Sequence, residues 1–518
     1  MTRTATKTAI RTATRVATRA ATRTTTGSAP PARAIKHLSV EERAERGRQA
    51  RAKTPPSENA GWTPSANRPD PVLQLTEQDR TREPDLVPVR HGRMMVSPFT
   101  FYRGAAKIMA SDLAGTPTAG LNVQLCGDAH LENFGLYASP ERLLLFDVND
   151  FDETLPGPFE YDVKRLAASF VAAARNNGFS KADARTAAQT AVSSYHEAMI
   201  SFSQMRLLDI WYSRLDADEL WKAIHAASGE ALERAKTAKG KKGKAKAAKE
   251  VKKLEKQAAK TDKKARTRDS LQALSKLGEQ VNGHYRIVSQ PPLVIPAREL
   301  DRTYGISADI VQRAVYEQFR GYRATLEDDR RALLERFEIV DIARKVVGVG
   351  SVGTRCYIAL LQGRDADDPL FLQVKEATAS VFEGHLPKSR YRQHGERVVQ
   401  GQRRMQAASD IFLGWTKGLE ANREFYWRQL RDMKGSASVE TMVPAGMAFY
   451  ARTCGWTLAR AHARSGDPIA IAAYLGDDDS FEQAIADFAE RYADQNERDY
   501  AAFVDQVRAG QLEARTGV

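Results

Sequence analysis

The stretch Cys126-Gly127-Asp128-Ala129-His130-Leu131-Glu132-Asn133, followed by Leu143-Leu144-Leu145-Phe146-Asp147-Val148-Asn149-Asp150-Phe151-Asp152-Glu153, decides how this 518-residue chain is read. Before it, Leu121-Asn122-Val123-Gln124-Leu125 alternates apolar and polar residues, which predicts a short strand delivering the chain into the first segment. Leu143 to Val148 predicts a second strand, and acids cluster at and beyond its end. Further on, Val163, Leu166, Ala167, Phe170 and Val171 recur at the spacing of one buried helix face. Taken singly, Asp128 and Asn133 are ordinary turn residues and the acids ordinary caps. A second cluster downstream changes that reading.

This cluster is Gly348-Val349-Gly350-Ser351-Val352-Gly353. Val346 to Ser351 and Arg355 to Gln362 read as strands, Gly363 to Pro369 as a turn, and Leu370 to Lys375 as a further strand. A G-x-G-x-x-G run opens a helix in dinucleotide-binding folds, but here a strand follows. Backbone N–H groups freed of side chains can cover phosphates, and Lys375 can neutralise them. The lysine needs an acidic partner. Glu396, on a helix expected over 396–408, is the best placed, with Glu383 as the alternative.

Gly127, Asp128, His130 and Asn133 match the loop His-Gly-Asp-x-His-x-x-Asn, so the chain resembles the aminoglycoside-phosphotransferase-like branch of kinase-like phosphotransferases. Cys126 stands in place of the first His. The resemblance implies an α+β, protein-kinase-like bilobal fold that uses ATP and Mg²⁺. It implies catalytic roles for Asp128, as base or orienting group, and His130, with Asn133 and an aspartate as metal ligands. Asp147 has the more usual distance from Asn133, and Asp150 the more usual distance to Asp162. Asp150 is taken as the principal ligand, with Asp147 and Asp152 as further candidates. Gly348, Gly350, Ser351, Gly353, Lys375 and Glu396 would hold the nucleotide. In ordinary kinases the glycine loop precedes the catalytic loop, so the reversed order here implies a circular permutation. His462, on a helix and outside any matched motif, reads as structural.

Ser97 to Gly104, Cys126 to Gly135, Asn149 to Thr154, Gln429 to Lys434 and Ala461 to Arg464 also resemble a bacterial family described as domain of unknown function 2252. That resemblance implies no substrate. Arg103, Arg428 and Arg431 lie in these stretches as candidate contacts for phosphate or an acidic substrate, or as salt-bridge residues.

The net charge of +13 is uneven. Residues 1–40 carry eight Lys/Arg and no acid, and residues 235–268 carry fifteen against three acids, which leaves the remaining chain mildly acidic. The first segment predicts a disordered tail, although an organelle transit peptide shares its Arg-rich composition. The second predicts a solvated helical hairpin or flexible insert. Three cysteines exclude a disulfide framework or a four-cysteine zinc site, and no apolar run is long enough to span a membrane. A cytoplasmic protein is expected. The boundaries are 1–90, basic tail and proline-rich irregular lead-in; 91–338, helical lobe with the catalytic loop, the metal strand and the Lys-rich insert; 339–434, strand-rich nucleotide lobe; 435–518, helical completion of the large lobe.

The leading expectation is an ATP- and Mg²⁺-dependent transfer of phosphoryl to a hydroxyl of a small molecule or protein, with nucleotidyl transfer using similar groups. The rivals are a non-catalytic nucleotide-binding or scaffold protein, and a nucleic-acid-associated protein acting through residues 1–40 and 235–268. The sequence does not fix the oligomeric state.

Overall fold

The computed structural model describes residues 37–226, 241–282, 284–300, 308–418, 423–430 and 432–517. The expected disorder of the extreme N-terminus lies outside them. Arg43–Val518 form one compact unit, an α+β arrangement of helices around small antiparallel sheets.

The proline-rich lead-in to residue 90 is not irregular: besides short 3₁₀ turns it holds α1 (Pro71–Asp79) and the start of α2 (Val87–Met94), and α3 (Pro98–Gly104) and α4 (Ala106–Leu113) follow it. Pro71 and Pro98 each occupy a first turn, where the missing N–H costs nothing. Asp70 caps α1 by accepting from Leu73 N–H at 2.8 Å, and Ser97 and Thr100 form a capping box on α3. Proline density here marks helix starts.

The strand β1 (Asn122–Leu125) pairs with β4 (Leu155–Pro158), and between them β2 (Phe134–Ala138) and β3 (Leu144–Val148) form a hairpin. The helix α5 (Phe159–Asn176) follows at once, and nearly every one of its residues is buried. It is covered by α6 (Lys181–Ser203) and by three later helices, α12 (Pro444–Ala463), α13 (Pro468–Leu475) and α14 (Ser480–Arg508). Phe481, Ile485, Phe488 and Tyr492 all face this core, as their spacing predicts. Ser480 and Gln483 have the spacing of a capping box, but no box forms. Asp478 Oδ1 accepts the Ser480 N–H instead, at 3.0 Å, and Gln483 Nε2 donates to Asp479.

Between α6 and the larger sheet lie α7 (Lys241–Arg266) from the Lys-rich segment, α8 (Ser270–Leu277), the hairpin β5 (Gly278–Val281) and β6 (His284–Ile287), β7 (Val294–Pro296), α9 (Ala308–Arg323) and α10 (Asp328–Leu334). The sheet then continues with β8 (Glu338–Lys345), β9 (Cys356–Gln362), β10 (Pro369–Glu376), the helix α11 (His394–Met405), β11 (Gly414–Lys417) and β12 (Glu424–Gln429). Its order is β11-β12-β10-β9-β8-β7, with every pairing antiparallel. Val346 to Ser351 is not strand. The strand before the glycines ends at Lys345, and the glycines turn the chain from β8 into β9.

The boundary expected at residue 339 falls inside one packing unit. Leu274, Leu277 and Ile287 cover one face of the sheet with Ile358, Leu360 and Phe371. Phe319, Tyr322 and Leu334 cover the other with Leu361, Leu372 and Trp427. A sheet with two apolar faces needs both buried, so residues 270–334 belong with the strands.

Candidate functional site

Where β1 ends, the N–H groups of Cys126 and Gly127 donate to the Asp162 carboxylate at 2.7 and 3.0 Å. Asp162 lies in the first turn of α5 and faces His462 Nε2 at 3.3 Å, and His462 Nδ1 meets the Tyr195 hydroxyl at 2.9 Å. His462 is therefore a buried support, fully enclosed and away from the cleft. Because the loop is anchored through backbone N–H groups, Cys126 has only to pack, and burial pushes its thiol well above the usual range. Gly127 has φ +86°, and a Cβ there would stand 2.3 Å from the Glu153 carbonyl oxygen, so no other residue fits.

Asp128 Oδ1 accepts from Arg165 Nε at 2.9 Å and Nη2 at 2.8 Å. Arg165 reaches it from α5, its guanidinium 3.9 Å from the centre of the Tyr102 ring. Burial pushes the Asp128 carboxyl up, and Arg165 opposes the shift. His130 Nδ1 accepts from Glu132 N–H at 3.2 Å, which places its proton on Nε2, 3.8 Å from Asp128 Oδ2. Burial, with Arg103 and Arg165 nearby, holds the imidazole neutral. Asn133 Nδ2 donates to the Asp128 carbonyl at 2.6 Å, which leaves its own side-chain oxygen for the cleft.

Lys375 Nζ, on β10, approaches Asp150 Oδ2 at 3.5 Å and makes a closer ion pair with Asp152. Tyr426 hydroxyl donates to Asp152 Oδ1 at 2.7 Å, and Ser351 Oγ stands 3.4 Å from Oδ2. Burial would raise Asp150, but Lys375 and Arg428 hold it down at about 2. Asp150 and Asp152 share a cleft of about 510 Å³ with Asp128, His130, Asn133, Gly348, Gly350 and Ser351, whereas the expected cleft residue Lys375 is buried beside the two aspartates and does not itself line it. Gly353 does not line it. At φ +87° it turns the chain instead, and its carbonyl accepts Glu83 N–H at 2.8 Å. Arg93 donates to the Gly348 carbonyl and Arg82 to that of Val352, each at 2.5 Å, so the glycine turn is tied to the N-terminal helices.

Two expectations need correction. Glu396 does not hold Lys375. The next residue, Arg397, points inward and donates to the carbonyls of Asp152, Thr154 and Thr378 at 2.6–2.8 Å, and one residue along a helix is a rotation of about 100°. Glu383 also faces elsewhere, 3.8 Å from His394 and 3.9 Å from Arg397. The acids that meet the lysine are Asp150 and Asp152. Asp147, likewise, is not a ligand candidate in the cleft. Its carboxylate is buried, pairs with Arg460 from α12 and accepts Ala407 N–H at 2.8 Å. Among the described residues no group of three or more His, Cys, Asp and Glu is arranged to hold a metal. Asn133, Asp150 and Asp152 nonetheless offer hard oxygen donors in one cleft, and that donor set suits Mg²⁺, which takes few protein ligands and completes its shell with water and phosphate.

Sequence reasoning missed Arg165, Arg82 and Tyr426. Only Tyr426 left a signal, since it shares a strand face with Arg428. Arg103 pairs with Glu132 at 2.6 Å and lines the cleft. Arg428 donates to Gln373 and to the Asn149 carbonyl, and Arg431 lies outside the described residues.

Glu153 closes one end of the cleft. Burial, reinforced by Asp152 and Asp128, pushes it up to about 7 against the opposing Val381 N–H and Arg397. A carboxyl that binds its proton more tightly when folded contributes stability in full below its unfolded value of 4.5, and loses it as pH rises through about 7. Glu153→Gln is expected to flatten that fall, which urea unfolding midpoints between roughly pH 5 and 8 would measure. Parallel profiles for the two proteins would contradict it.

A family model described as an uncharacterized protein conserved in bacteria (DUF2252) matches residues 82–506. No curated protein and no solved structure matches the chain.

Proposed function

The chain belongs to the DUF2252 family, and from that premise we propose that it is an ATP- and Mg²⁺-dependent phosphotransferase with a permuted kinase-like arrangement, acting on a hydroxyl of a small molecule or protein. One observation carries this reading. Asp150 and Asp152 line one cleft with Asp128 and Asn133, and the buried amine of Lys375, on the strand after a glycine-turned hairpin, meets both aspartates across more than 220 residues of sequence. A glycine turn, a strand lysine, an aspartate–asparagine loop and a strand-end aspartate are the parts that phosphoryl transfer by positioning requires. Bound Mg²⁺-nucleotide would supply the transferable phosphoryl group and neutralise its charge.

The chain's own groups divide the work. Asn133, Asp150 and Asp152 would hold the cation, and Lys375 would hold the two aspartates in place beside it. Gly348 to Ser351 cover the phosphates with backbone N–H groups. Asp128, held by Arg165 and faced by the Nε2–H of His130, orients the acceptor hydroxyl.

The Arg165–Asp128 pair also favours a second reading, a nucleotide-binding protein without turnover, because a carboxylate engaged by a guanidinium is a weaker base. Thermal unfolding with ATP and other nucleotides, with and without Mg²⁺, tests both. A ligand at a hundred times its Kd adds about 2.7 kcal/mol of stability. A rise in midpoint that needs nucleotide and Mg²⁺ together is expected, and no rise with any nucleotide would remove both readings. Mass spectrometry of the products then separates them.

A further inference from the structure

Against the β2–β3 hairpin lies a cavity of about 310 Å³. Its inner wall is apolar, formed by Leu136 and Phe146 of the hairpin with Trp221 and Ile224. Its outer wall is α7, the Lys-rich helix that the proposed function does not use. Gln257 fixes α7 there by donating to the backbone carbonyl and hydroxyl of Thr441 at 2.9 and 3.0 Å. One and two helical turns on, Lys260 and Lys264 stand at the mouth, both exposed. Asp262, the acid beside them, is taken up by Arg266 at 3.1 Å, and among the described residues no carboxylate pairs with either lysine.

The pocket opens to solvent, and its volume falls at the lower end of small-molecule sites. An apolar chamber with a cationic rim is complementary to one kind of ligand. We infer that this cavity binds a single-chain anionic amphiphile, its alkyl chain against Leu136, Phe146 and Ile224 and its acidic head between Lys260 and Lys264. This inference is independent of the phosphotransferase reading. A nucleic acid would engage the lysines but has no use for an apolar wall behind them. The chamber also adjoins the catalytic loop, since Tyr450 lines it and donates its hydroxyl to the carbonyls of Leu131 at 2.8 Å and Phe134 at 3.1 Å.

Isothermal titration of the full chain with decanoate and decyl phosphate tests the inference below their micelle-forming concentrations, with decyltrimethylammonium, inorganic phosphate and an RNA oligonucleotide as comparisons. Saturable one-to-one binding is expected for one or both anionic amphiphiles, and the preferred one identifies the head group. Shortening the preferred chain by two methylenes should weaken binding about tenfold. Ala258→Trp, from a partly exposed position on α7, should fill the chamber and abolish binding. Lys260→Glu with Lys264→Glu, both at solvent-exposed positions, should weaken it at least tenfold while thermal unfolding stays unchanged. No saturable binding of either anionic amphiphile, or binding untouched by the paired lysine changes, would overturn the inference. Equal binding of decyltrimethylammonium would overturn it too, as would RNA binding that the paired lysine changes abolish while neither amphiphile binds.

Discussion

Asp150→Asn is expected to abolish the Mg²⁺-dependent part of nucleotide stabilisation, while Asp128→Asn leaves that stabilisation in place and lowers turnover by a factor of about 10²–10⁴. The contrast follows from what each carboxylate touches. Asp150 is held at about 2 by Lys375 and Arg428, so it is fully charged at neutral pH and able to hold a cation. Its amide variant keeps the shape and removes the charge. Lys375 then keeps Asp152 as its ion-pair partner, and the glycine turn that lines the cleft is untouched, so nucleotide binding without Mg²⁺ should change little. Asp128 is instead clamped by Arg165 at 2.8–2.9 Å and holds no cation. Its loss removes orientation of the acceptor and leaves binding intact. Titrations of both variants with ATP, with and without Mg²⁺, together with product analysis, would check the split. If Asp150→Asn keeps the full Mg²⁺ effect, the assignment of the cation to this aspartate fails.

Asp147→Asn should destabilise the fold by about 3–5 kcal/mol, the cost of leaving a buried charge unpaired. Asp147 and Arg460 are each only 1% exposed, and the carboxylate also accepts N–H groups from Val148 and Ala407 at 2.8 Å. Nearby Arg464 is already pushed down to about 10 by burial and by Arg460. Neutralising Asp147 removes the anion that both arginines face. A large drop in the urea midpoint is expected, with nucleotide affinity unaltered in the molecules that remain folded at low urea. Normal stability combined with lost Mg²⁺ dependence would instead return Asp147 to the metal site.

The parts of the site that were legible in the sequence are those set by local geometry. Asp128, His130 and Asn133 sit within one turn of loop, and Gly348 to Ser351 within one hairpin bend, so spacing alone carries their arrangement. Side-chain direction over longer range did not show. Strand β3 is buried on both faces, so nothing in the alternation marks Asp147 as turned toward α12 and Asp150, past the strand end, as turned toward Lys375. The helix expected to supply Glu396 does form beside the sheet, yet a phase error of one residue replaces an acid with an arginine. The sheet's coverings were hidden for another reason. Strand β7 has three residues and α8 follows a run of lysines, so neither gives a periodic signal strong enough to outweigh its neighbours.

The contact between α3 and α14 sets a timetable for synthesis. Asn496 Nδ2 donates to the Pro98 carbonyl at 2.9 Å across 398 residues, and Arg68 bridges Asp112 and Asp499. At 5–20 residues per second, about 20–80 s separate the emergence of the two ends of that bond from a ribosome. For the last three quarters of that interval α5 and α6 have their apolar faces in place and the helix that covers them does not yet exist. The nascent chain therefore carries an exposed helical surface while the whole six-stranded sheet is being made, and a chaperone that shields apolar surface should associate with it until α14 emerges and closes the layer.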